Sequence, residues 1–97
     1  MNTNAALRSA SRRVNIIKLH RECYEVFAQY PDNDRVREPR SGVPTLRDAQ
    51  SVARITKARI ALILLGWEPD ESEWQAEKCD DEFGGDWRAC VRAGLRA

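Results

Sequence analysis

The stretch Ala49 to Leu65 contains no Gly, Pro, Asn or Asp. Seventeen residues without a turn former leave the backbone little choice but a regular element. Leu46, Ala49, Ala53, Thr56, Ile60, Ile63 and Trp67 recur at alternating intervals of three and four. That is the spacing of one helical face. Val52, Ile55 and Leu62 form a second stripe beside it. Thr45 stands where an N-cap accepts from the N–H three residues on, and Asp48 occupies the reciprocal place in a capping box. Gly66 suits a left-handed C-cap, and Pro69 follows. The pattern predicts one helix over about 45–65, exposing Arg47, Arg54, Lys57 and Arg59.

The same letters also scan as a helix-turn-helix around 49–64. Aligning Ile55-Thr56 with the start of a recognition helix places Ile60 and Ile63 well. The turn then falls at Ala53-Arg54, and neither residue favours a turn. Unbroken spacing across that point favours the single helix, with the two-helix reading as the alternative.

Residues 4–30 carry two adjacent apolar stripes. Leu7, Ala10, Val14, Ile17, Tyr24 and Ala28 form one, and Ile16, Leu19, Cys23, Val26 and Tyr30 the other. They predict a long helix of about 4–30, ended by Pro31. Residues 31–44 are rich in Arg and Pro and read as a loop. Short helices are expected at about 71–82 and 87–95, separated by Gly84-Gly85. The fold expected is therefore all-α: one small domain over 1–97, a helical bundle of about four helices, two long and two short.

Hydrophobic residues make up 42% of the chain and charged ones 32%, an ordinary globular balance that argues against disorder. The longest apolar run, Ile60 to Leu65, is six residues. A bilayer span needs about 20, so no membrane partner is expected. The first residues lack the basic-then-apolar pattern of a secretory signal, and the expected location is cytoplasmic. Three cysteines at unrelated spacings, Cys23, Cys79 and Cys90, do not make a disulfide framework.

No constellation announces catalysis. His20 is the one histidine, and a Cys–His pair with Cys23 would lack an orienting third group. His20 and the three cysteines do not follow the close-paired spacing of a zinc site. The acids between Glu68 and Asp86 read as solvated, and "DDEFGGD" does not meet a calcium-loop pattern. No phosphate-cradling Gly loop occurs. The chain reads as non-enzymatic, with no cofactor and no metal.

Charge is the feature that points outward. Residues 1–66 hold twelve Lys or Arg against six Asp or Glu, whereas residues 67–97 hold four against nine. A small domain with two unlike faces acts by presenting surface. The function expected is a protein-binding module that works by occlusion. By analogy of size and class alone, it fits a phage or mobile-element inhibitor of a host complex. The contact residues expected are Arg35, Arg37 and Arg40 in the loop, and Trp74, Glu77, Asp80 and Asp81 in the acidic segment. Trp is enriched at hot spots. The alternative is a small DNA-binding transcriptional regulator, with Arg47, Arg54, Lys57 and Arg59 on phosphates. The partner is thus another protein, or nucleic acid in the alternative. Basic and acidic ends also permit a homo-oligomer.

Overall fold

The computed structural model describes residues 1–31, 35–39 and 41–96, with the backbone alone at 35–37. Among these residues the chain runs α1 (Thr3–Arg12), β1 (Val14–His20), β2 (Cys23–Gln29), β3 (Arg35–Arg37), α2 (Leu46–Leu64), α3 (Pro69–Ala76), α4 (Lys78–Phe83) and α5 (Trp87–Arg96). The expected all-α bundle is therefore incorrect: this is a mixed fold, with a three-stranded antiparallel sheet in the order β1-β2-β3. The expected helix of 4–30 is a ten-residue helix followed by a hairpin. The expected 31–44 loop contains β3, and Val43 bridges to Tyr24.

The hairpin has a physical cause. Val14 pairs with Ala28, Ile16 with Val26 and Lys18 with Tyr24. Val14, Val26 and Ala28 are buried, and Ile16 and Tyr24 pack against the core. These residues alternate, so one face of the sheet is apolar. Asn2 caps α1 by accepting from the Ala5 N–H at 2.8 Å. The helix stops at Arg12, before the β-branched run that opens β1. The Gln29 N–H donates to the Arg13 carbonyl at 2.8 Å and starts the ladder.

α2 is the central element. It packs on α1, β1, β2, α3, α4 and α5. Thr45 caps it, accepting from the Asp48 N–H at 3.1 Å. Gly66 ends it with φ of 98°. There the Trp67 N–H reaches the Leu62 carbonyl and the Gly66 N–H the Ile63 carbonyl, both at 3.0 Å, as in a Schellman cap. Ala49, Ala53, Ala58 and Ala61 are buried along it beside Ile60 and Leu62. Small side chains on several faces let both sheet and helices approach closely.

The expected 71–82 helix is two helices, divided at Glu77. Asp86 caps α5, accepting from the Ala89 N–H at 3.0 Å. Buried Gln75 ties α3 to α5: its Nε2 donates to the Cys90 carbonyl at 3.0 Å. Gly94 makes room for this, since a Cβ there would lie 2.9 Å from the Gln75 Cγ. Among the described residues no helix is long and apolar enough to cross a membrane.

α4 is locked to α2 by Asp80. Its carboxylate accepts from Arg54 Nε at 3.0 Å, from Arg54 Nη2 at 3.3 Å and from the Ser51 hydroxyl. Burial opposes the Asp80 charge, but the hydrogen bonds from Arg54 and Ser51 and the Arg54 charge outweigh it, so its pKa is lowered. A lowered folded-state pKa stabilises the fold above the unfolded value and loses that contribution as pH falls. Asp80→Asn is expected to cost about 1 kcal/mol at pH 7. Urea unfolding of both proteins across pH should show the gap closing below about pH 4.

Candidate protein-binding surface

β1 is an edge strand. Among the described residues nothing pairs with its outer side. The Gln29-to-Arg13 bond sets the alternation of the ladder. Asn15 and Ile17 therefore bond across to β2, while Val14, Ile16 and Lys18 turn their N–H and C=O groups to the open edge. The register then shifts between Lys18 and His20.

The helices cover one face of the sheet. The other face carries Asn15, Ile17 and Leu19 on β1. Ile17 is 37% exposed and Leu19 54%. Two aliphatic side chains two residues apart on a strand with an unpaired outer edge form a template for strand addition. Lys18 limits this template by its charge, with Nζ 5.8 Å from the centre of the Tyr24 ring. The neighbouring bulge limits it by its twist. Arg21 and Glu22 make the turn, and His20 lies opposite Cys23.

The residues singled out from sequence fall in several places. Trp74 is 66% exposed on α3, with Lys78 Nζ 3.6 Å above its ring. Glu77 is half-buried and Asp81 exposed, both near the α3–α4 junction. Asp80 and Arg54 come from opposite predicted surfaces and pair with each other. Arg47 is exposed in the first turn of α2. Arg59 lies over the Tyr30 ring at 5.6 Å and reaches Glu73 at 3.9 Å. Arg35 and Arg37 belong to β3, opposite Gln29 and Phe27; their side chains, and all of Arg40, lie outside the described residues. α2 passes through Ala53-Arg54 unbroken. The helix-turn-helix-like segment of 49–64 is therefore corrected to one helix, because no residue there favours a turn.

A polar cluster that the spacing did not reveal joins the sheet to α2. The Tyr30 hydroxyl donates to Glu38 Oε1, and Glu38 is 7% exposed. Burial first, then the Glu38 carboxylate, raise the Tyr30 pKa. The cleft beside them has a volume of about 120 Å³ and is bounded by Pro39, Thr56, Arg59 and Glu73. Sites for small molecules run to roughly 300–1,000 Å³, so this cleft is sized for a side chain rather than a metabolite.

The two buried thiols, Cys79 and Cys90, are poor nucleophiles. Burial pushes Cys79 up to about 12, with further increments from Cys90 and Asp80. Burial also raises Cys90, whose Sγ donates to the Gln75 carbonyl at 3.2 Å. Among the described residues no three of His, Cys, Asp and Glu converge to hold a metal ion. Compared with known proteins, the chain matches no family, no curated protein and no solved structure.

Half-buried Cys23 contrasts with fully buried Cys79 and Cys90. Titration with an aromatic disulfide reagent at pH 8 is expected to modify Cys23 alone in the native protein and all three thiols in denaturant. Rapid modification of Cys79 in the native state would contradict its packing.

Proposed function

We propose that this protein is a non-enzymatic binding module that captures an extended segment of another protein along β1. The observation that supports this most is the unpaired edge of β1 with Ile17 and Leu19 exposed beside it. Main-chain hydrogen bonds to Ile16 and Lys18 would supply affinity. Side-chain contacts on the open face would supply selectivity. The segment that fits has aliphatic residues at alternate positions, to cover Ile17 and Leu19. An acidic residue suits the end near Lys18 and Arg21, both exposed. Such a module acts by occupying a strand or edge that its partner needs, which is the mode of a small inhibitor of a larger complex.

The test is selection of binders from a displayed library of random peptides, followed by affinity measurement on two variants. Lys18→Pro removes an N–H from the open edge, where proline is tolerated, and leaves the β2 ladder intact. Leu19→Ser removes an aliphatic contact. Selected peptides are expected to alternate aliphatic residues, to lose binding to Lys18→Pro and to weaken at least about tenfold with Leu19→Ser. Peptides unaffected by both changes, or sensitive to Trp74→Ala instead, would contradict the assignment to β1. A circular dichroism spectrum matching the wild type checks that each variant folds.

A further inference from the structure

Charge in this fold is sorted by helix. α1 and α5 contain no acidic residue, and α2 contains only Asp48. α3 and α4 hold Asp70, Glu71, Glu73, Asp80, Asp81 and Glu82. Where the two groups meet, acids answer bases: Arg54 takes Asp80 and Arg59 takes Glu73. The remaining bases of α2 and α5 have no such answer. Among the described residues, no carboxylate pairs with Lys57, Arg88, Arg92 or Arg96.

Arg88, Arg92 and Arg96 are all exposed and succeed one another by one helical turn. Successive members are therefore about 6 Å apart along the axis and share a face. Arg92 Nη2 lies 3.5 Å from Asn4 Oδ1, which fixes the row beside the first turn of α1. Arg88 lies over the Trp87 ring at 4.5 Å. Lys57, on α2, is half-buried, and its pKa is lowered by desolvation first and then by the charges of Arg88 and Arg54. Lys57 and Arg88, from two packed helices, thus lie near each other, and among the described residues no carboxylate pairs with either. That arrangement opposes folding, and an anionic ligand would relieve it.

We propose that Arg88, Arg92 and Arg96, with Lys57, form a docking face for the phosphate backbone of duplex nucleic acid. Charge complementarity selects an anion, and the regularly spaced row, which winds slowly round the helix, suits an extended array of phosphates over a single carboxylate. The face offers no exposed aromatic ring, since Trp87 is 5% exposed. Single-strand binders stack bases on such rings, so a duplex fits better. The contact is with the backbone, not with base edges.

The test is fluorescence anisotropy of the full chain with a labelled random duplex of about 20 base pairs, at about 50 and about 200 mM salt. Four neutralised phosphates give a salt slope near −3.6, and affinity should fall roughly a hundredfold between these concentrations. Arg88→Gln with Arg92→Gln should lower the slope by about 2. Lys78→Gln, on the acidic side, should leave it unchanged. Both side chains in the double variant are exposed, so the fold is retained and its melting temperature checks this. Three results would overturn the proposal: no binding at the lower salt, a slope unmoved by the double variant, or polyglutamate or single-stranded DNA binding tighter than the duplex.

Discussion

Burial of α2 on more than one side is the constraint on which the rest of this structure depends. A 19-residue helix that is buried at Ala49, Ala53, Thr56, Ala58, Ile60, Ala61 and Leu62 needs partners around most of its circumference. The sheet and α1 supply some, and α3, α4 and α5 the others. Each partner can then cover α2 with only one of its own faces. The sheet keeps Ile17 and Leu19 exposed on its far side, and α5 turns its arginine row outward. The two surfaces proposed for binding are the faces that the central helix does not need.

The same constraint explains what was legible in the sequence. α2 could be read, cap to cap, because its apolar spacing runs unbroken and Thr45 and Gly66 punctuate it. The hairpin could not. Ile16-Ile17 places apolar residues on both faces of β1, so the segment satisfies a helical spacing as well as an alternating one. Its turn, Arg21-Glu22, contains none of the usual turn formers. What decides the matter is tertiary: Val26 and Ala28 need a flat apolar surface to lie against α2, and the strand supplies it.

The site was legible in the same uneven way. The outward row of α5 follows from local spacing. The exposure of Trp74, whose place in the short acidic helix suits the core as well, does not. The pairing of Arg54 with Asp80 does not, because it joins residues 26 positions apart. Nor does the cluster of Tyr30, Glu38 and Arg59, which requires β2, the segment after β3, and α2 to be in place together. The open edge of β1 was hidden for a simpler reason: a strand read as helix has no edge. Charge totals for the two parts of the chain did carry information, since they foreshadow basic α1 and α2 and acidic α3 and α4, although they hide basic α5 within the acidic part.

Hydrogen exchange at single backbone amides of β1, followed by NMR, tests the central claim most directly. Asn15 and Ile17 face β2, whereas Ile16 and Lys18 face the open edge. The account predicts slow exchange at Asn15 and Ile17 and fast exchange at Ile16 and Lys18, an alternation with period two. Continuous protection from residue 14 through 20 would mean that the segment is helical or that its outer edge is already covered. Either would remove the free edge on which the proposed binding rests.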